Sequence, residues 1–577
     1  TIYPSQELQL DNQPQIGEFI IDKRYYSFGE VFPSRIIEIG EPAIMRDLRV
    51  VTVTVNPFQY DPASEELRII KNIDFVVNTN GIGGNNVKVH ERKISRFFEP
   101  LYKATILNYD EIISNRDDGY QEQCYLFIYP NDATIENYLE DLTEWKHQKG
   151  FEVVAVSTSE TGTTNTSIKN YIQNAYNTWE NPPEFICLVG DASGAFTIPT
   201  WFESWSWYNG EGDHPYTQLE GNDILADAFI GRLSFNTHNE FQTIIAKILN
   251  YEKVPYMGQT DWYESVLLVG DTSPTGQSVV ITNKYIKELM LAVNNDYTFT
   301  ELYGTQPSVT SMVNAVNNGV SFFNYRGWVG MSDWSNSTTN SLNNGFMLPV
   351  VVTLTCGTGD FYNTTGRTEV FLNAGSPSVP KGGIAAIGTA TMGTHTRYNN
   401  PISSGIYFGI FVEQTYNMGG ALARGKLNLY NCFPDNPGNC IEIYSYWNNL
   451  MGDPGMEVWT GIPQEMVVTY ETQVSLGTNY LQVTVEDTNN NPLENAWVTA
   501  LMEDDDIFAT GYTDTEGNII LPISAEIEGT AHLTVTRHNY IPHLGSFDVG
   551  ISDRFVNVFE IAIDDDNLGT SSGNGDG

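Results

Sequence analysis

Cys356 ends the apolar, β-branched run Val352-Thr353-Leu354-Thr355 and opens the Gly-rich turn Gly357-Thr358-Gly359-Asp360-Phe361. A buried strand that stops at a cysteine and turns on glycine can present a thiol nucleophile at a sheet edge. Peptide hydrolysis by such a thiol needs a thiolate, a proton donor for the leaving amine and amide donors for the oxyanion. Amides around Gly357 suit the last task. A free thiol of pKa about 8.5 is only slightly ionised at neutral pH, and general acid–base help is worth roughly 10²–10⁴-fold. The proton acceptor therefore matters. His395, in Thr391-Met392-Gly393-Thr394-His395-Thr396, follows the next strand and is a candidate; His214 and His238 lie in the first half of the chain. The plain alternative is that Cys356 is a relic core thiol.

These residues need a sheet to hold them. From about residue 120, apolar runs alternate with helical spacing: Cys124 to Tyr129, a helix over 135–149, Phe151 to Val156, a helix over 168–179, then Phe185 to Asp191. Strands alternating with helices predict a mostly parallel, doubly wound sheet. The pattern restarts at Ser265 to Asp271, and both runs end in Leu-Val-Gly-Asp, which suggests two related α/β halves. Phe322 to Val329 and Gly382 to Gly388 add further strand-and-turn units. Alternating apolar and polar residues before 117 and after 462 predict flanking all-β domains, the second a sandwich of short strands.

The bulk composition narrows the partners. At 577 residues the chain exceeds a single core. Seventy-one acids against 29 bases give a net charge of −42, which argues against nucleic acid or an anionic membrane surface. The acidity suits solubility and is compatible with structural calcium; catalysis by a thiol requires no cofactor. No apolar run is long enough to span a bilayer. Thr1 reads as a processed start. Cys432 and Cys440 bracket a turn-rich loop and are expected to form a disulfide, as in an oxidising compartment. Cys124 and Cys187 read as core thiols. The runs Glu503 to Asp506 and Asp564 to Asp566 read as solvated acids. Trp201, Trp205 and Trp207 form an aromatic cluster, either a binding platform or loop packing.

Several stretches, taken in order, resemble the gingipain family of cysteine peptidases, relatives of caspases. They are Asp213-His214-Pro215-Tyr216, Gly221-Asn222-Asp223, Ala228 to Ser234, Asn324-Tyr325-Arg326-Gly327, Thr355 to Phe361 and Gly452-Asp453-Pro454. The resemblance covers residues 120–460, and Asn56 to Pro62 looks like part of that family's β-rich prodomain. It implies a caspase-like α/β core, a prodomain over 1–117, core halves over 118–255 and 256–461, an immunoglobulin-like or carboxypeptidase-regulatory-like sandwich over 462–565 and a flexible linker over 566–577. It places Cys356 on the family's nucleophile and Trp328 on its histidine. Asp227 falls near the acid that supports the histidine, and Glu240 near the acid that selects basic side chains; solvated or helix-end carboxylates are the plain alternatives.

Indole has an N–H donor and no basic nitrogen, so Trp328 cannot relay a proton. Two functions stand side by side for a secreted or cell-surface bacterial protein. One is an impaired or inactive peptidase homologue acting as a binding or structural protein. The other is an endopeptidase acting on polypeptides, using Cys356 with an unconventional base such as His395. An adhesin that uses Trp205 and its neighbours is a third. An inactive core would leave the prodomain attached.

Overall fold

The computed structural model describes residues 18–551 apart from 79–82, 115, 117, 118 and 274. The expected linker after 566 and the acids at 564–566 lie outside those residues, as does part of the expected junction at 114–119. The chain divides into two units: the larger holds the chain up to His147 and Phe151–Pro463, the smaller Gln148–Gly150 and the chain from Gln464.

The larger unit is built on one ten-stranded sheet. Its strands lie in the order Thr298–Gly304, Ser265–Asp271, Phe322–Arg326, Val350–Thr353, Ala385–Thr389, Asn448–Met451, Phe229–Leu233, Phe185–Val189, Cys124–Tyr129 and Glu152–Ser157. Neighbours run parallel except where Ala385–Thr389 meets Asn448–Met451 in an antiparallel pair. The two expected halves meet one pair further on, where Asn448–Met451 lies parallel to Phe229–Leu233, and share one sheet. Central strands such as Cys124–Tyr129, Phe185–Val189 and Val350–Thr353 are buried at every position. That is the outcome expected of parallel strands covered on both faces, and it explains their unbroken apolar runs.

Helices cover the sheet. Asn165–Thr178 starts with a capping box between Thr164 and Ser167, and His238–Glu252 with one between Thr237 and Glu240. Thr396–Phe411 and Met418–Cys432 pack together over the second half.

The N-terminal region belongs to the same compact unit. Its chief ribbon pairs Ile37–Met45 with Leu48–Val55, and a second pairs Phe58–Asp61 with Glu66–Ile69. The expectation of an all-β region is corrected by three short helices, Lys23–Phe28, Glu99–Thr105 and Tyr109–Ser114. Pro100 in the first turn and the buried Leu101 and Tyr102 explain the second of these.

The Cys432–Cys440 disulfide is not formed; both cysteines are free. Cys432 ends one helix on the exposed side, whereas Cys440 is buried in the first turn of the next helix, Cys440–Trp447. The left-handed residues Asn436, Gly438 and Asn439 carry the chain between them. Cys124 and Cys187 are buried thiols, as expected.

The smaller unit is a two-sheet β-sandwich. Strands Met466–Tyr470, Leu481–Asp487 and Asn518–Leu521 form one sheet; Gln473–Ser475, His543–Gly550, Gly529–Thr536, Trp497–Leu501 and Phe508–Tyr512 form the other. Val483, Val485, Val498, Leu533 and Phe547 fill the space between them. Asp487 and Asp514 fix the turns that follow by accepting backbone N–H bonds.

Candidate active site

Strand Val350–Thr353 delivers Cys356 to a turn in which Gly357 has φ +61°. A Cβ there would lie 2.6 Å from Met392 Sδ and 3.1 Å from Asp360 Oδ2, so only glycine fits. Cys356 is fully buried. Its Sγ lies 3.1 Å from Thr394 Oγ1. The Gly357 N–H, the amide expected to face an oxyanion, donates to Thr391 O at 2.6 Å. Nucleophile and amide are thus both turned onto the loop that follows strand Ala385–Thr389.

The Trp328 turn lies beside this one. Thr355 Oγ1 donates to Gly327 O at 2.7 Å, linking the residue before Cys356 to the residue before Trp328. The buried Arg326 guanidinium binds Leu354 O and donates to Asn400 Oδ1 at 2.8 Å through Nη2. Trp328 is half-buried. After it come four consecutive positive φ angles, Gly330 (82°), Met331 (50°), Ser332 (53°) and Asp333 (75°). Non-glycine residues in this region cost roughly 1–2 kcal/mol each, so the surroundings must hold the run in place. They do: Met331 is fully buried, and Ser332 Oγ donates to Asp271 Oδ2 at 2.7 Å.

His395 is the N-cap of helix Thr396–Phe411. Its Nδ1 accepts the Arg397 N–H at 3.0 Å, and its own N–H donates to Tyr444 OH at 2.5 Å. Burial, with Arg397 nearby, pushes the imidazole down to about 4, so the ring is neutral at physiological pH. The preceding residue, Thr394, meets the sulfur.

Asp227 binds the N-terminal region. Its Oδ2 accepts the N–H groups of Leu219 and Glu220 at 2.7 and 2.8 Å, and its Oδ1 accepts the Arg46 N–H at 2.9 Å. Burial pushes its carboxyl up to about 7 against those bonds. Arg46, at the tip of the Ile37–Val55 hairpin, is fully buried. Its guanidinium donates to Pro182 O (2.7 Å), Pro183 O (3.0 Å), Asp227 O (2.6 Å) and Gln121 Oε1 (2.9 Å). Glu240 is a capping residue: Oε2 accepts Asn236 N–H at 2.6 Å and Thr237 N–H at 3.1 Å.

Trp205 lies in the hairpin Trp201–Trp205/Tyr208–Gly212, with its ring 6.4 Å from those of Tyr444 and Trp447. Trp207 at the tip is 90 % exposed. The same hairpin reaches the cysteine turn, since Phe202 packs edge-on to Tyr362 at 4.8 Å. Glu211 Oε1 accepts the N–H groups of Phe361 and Tyr362 at 2.6 and 2.9 Å. Burial, with Glu211 adjacent, pushes the Asp360 carboxyl up to about 7, while Arg367 opposes it. Arg367 is placed by Trp334 O (2.7 Å) and reaches Gly357 O at 3.3 Å.

Sequence reasoning missed Thr391, Thr394, Glu211 and Arg46. Asp360 stood in the cysteine motif without a role. Among the described residues no three His, Cys, Asp or Glu side chains gather as metal ligands, and no helix is long and apolar enough to cross a membrane.

The profile of peptidase family C25 matches residues 119–459. The chain belongs to peptidase family C25. The C25 propeptide profile matches residues 1–115 of this C25 chain, the region that carries Arg46. Gingipain R2 of Porphyromonas gingivalis strain W83 is 25 % identical over 538 residues, spanning 89 % of this chain and 69 % of the relative. Lys-gingipain W83 from the same organism is 25 % identical over 580 residues, spanning 93 % of this chain and 32 % of the relative. The crystal structure of the Arg-specific cysteine proteinase gingipain R has a TM-score of 0.65 at 21 % identity, covering 74 % of this chain and 98 % of that one. The complex of RgpB pro- and mature domains matches at TM-score 0.65 and 22 % identity, covering 74 % and 99 %. These structures share the fold of the C25 chain: a gingipain-like α/β core with its large, mostly parallel sheet.

Proposed function

We propose that this chain is a C25 homologue that keeps the peptidase fold for binding rather than hydrolysis and acts outside a bacterial cell with its propeptide region attached. The observation that carries the reading is the closure at Cys356. The thiol meets Thr394, the Gly357 amide is spent on Thr391 O, and Trp328 stands on the neighbouring turn. The hydroxyl at the sulfur is not a base, and the oxyanion donor is occupied. The buried Arg46 supports retention of the propeptide region, because removing it would strand its acceptors. A mixed peptide library offered to the native chain and to Cys356→Ala tests this: both should leave it uncut. Cleavage by the native chain alone would sink the reading.

A second reading, a peptidase with a carboxyl in place of the imidazole, is favoured by one observation. Asp360 lies four residues after the thiol and titrates near neutrality beside Glu211, as a general acid should. Cleavage lost equally in Cys356→Ala and Asp360→Asn would establish it.

A further inference from the structure

A cleft of about 260 Å³ separates the propeptide-matched segment from the first part of the core. His90, Arg92 and Lys93 line one side; Tyr176, Trp179 and Asn181 line the other. It shares no residue with the Cys356 turn.

Arg92 is the unusual group in it. Its guanidinium lies 3.7 Å from the centroid of the Tyr176 ring. Stacking of this kind uses the flat face of the cation and leaves its in-plane N–H groups for a ligand. Arg92 Nη1 is buried and has no hydrogen-bond partner. The platform is fixed from both sides: Tyr176 OH shares its single proton between Arg46 O and Glu220 Oε2, each at 3.3 Å, and Arg116 holds Arg92 O. Burial pushes the Arg92 guanidinium down, and the nearby Arg46 cation adds to this while Tyr176 opposes it.

An anionic oxygen is the partner that suits the guanidinium where Arg92 lines the cleft. Lys93 adds a second cation at the same mouth. Glu91 and Glu180, also at the lining, make the site unsuited to extended polyanions and leave room for one compact oxyanion. Trp179, half-buried, offers apolar surface to a carbon skeleton. In a chain of net charge −42, a cleft whose two cations match its two carboxylates is the exception.

We propose that the cleft binds a phosphate monoester group, with Arg92 and Lys93 on its oxygens and the carbon part against Trp179. The site exists only while the propeptide region stays attached, so it rests on that part of the proposed function and not on the state of Cys356.

Calorimetric titration of the full chain tests it, with a hexose 6-phosphate, the unphosphorylated hexose and phosphatidic acid vesicles as probes. The hexose phosphate is expected to bind with a Kd of about 1 mM or tighter, and the plain hexose not at all. Arg92→Gln should weaken binding on the order of tenfold. Lys93→Gln, on an exposed side chain that cannot endanger folding, should weaken it several-fold. Binding to vesicles alone would keep the site and assign the phosphate to a lipid headgroup. Silence from both phosphate probes with the chain shown intact by gel, or equal binding by both variants and the parent, would overturn the proposal. An intact chain that hydrolyses peptides yet binds hexose phosphate would refute the non-hydrolytic reading and leave the cleft standing.

Discussion

Thr394 Oγ1, not the imidazole of His395, lies 3.1 Å from the sulfur of Cys356. One residue of register decides what the thiol meets, and the imidazole is committed instead to the first turn of its own helix.

Closure of this kind should be visible to thiol reagents. Cys432 is exposed and Cys356 is fully buried. We expect Ellman's reagent to modify Cys432 promptly in the native chain, with Cys356 reacting only as the protein opens. Peptide mapping of the labelled chain checks this, and early label on Cys356 would show an open site.

Trp328→His alone should not create a peptidase. The substitution returns a base to the turn but leaves Gly357 N–H on Thr391 O and the sulfur on Thr394. Loss of a single oxyanion donor already costs roughly 10²–10³-fold. Turnover of a peptide library by this variant, abolished by adding Cys356→Ala, would show that the tryptophan was the whole obstacle.

His395 gives a pH signature. Its folded value of about 4 lies below the ordinary 6.5. The unfolded chain therefore binds the proton more readily between these values. The cost of keeping His395 neutral is absent above about pH 6.5 and grows as the pH falls toward 4. His395→Asn keeps a side-chain acceptor at the N-cap and removes the titration. Relative to this variant, the parent should lose about 2–3 kcal/mol across that window. Urea unfolding at several pH values measures it; parallel pH profiles would contradict the assignment.

Arg46→Ala should loosen the N-terminal region by about 3–5 kcal/mol, since it leaves buried acceptors and Asp47 without their cation. Limited proteolysis should then cut before the core strand at Cys124, with the core persisting as a resistant fragment. Unchanged resistance would mean that other contacts hold the region.

Glu240→Ala should cost about 1 kcal/mol through the lost cap and leave any binding of basic peptides unaltered. Peptide affinity that falls with this variant would restore a recognition role to Glu240.

The sheet was legible because its strands are buried on both faces and read as unbroken apolar runs, as Cys124–Tyr129 does. The repeated Leu-Val-Gly-Asp fell at two strand ends, of which Asp271 now anchors Ser332. The position of Cys356 on a strand-end turn was equally plain from its glycines. Its partners were not, because Thr391 and Thr394 reach it only through the register of two strands more than thirty residues apart. Arg46 escaped notice for another reason: a charged residue at a hairpin tip reads as solvated, and nothing local reveals that the tip is buried. The Cys432–Cys440 bridge failed because loop spacing says nothing about which way two helix-end side chains point.

Three of the four acceptors around the Arg46 guanidinium are main-chain carbonyls, those of Pro182, Pro183 and Asp227. A carbonyl is the same whatever side chain its residue carries. The lock is therefore written in backbone and the key in a single side chain, so change in the core can proceed freely while change at position 46 cannot. Any record of divergence at this junction should be one-sided, with the key constant and the residues of the lock drifting around it.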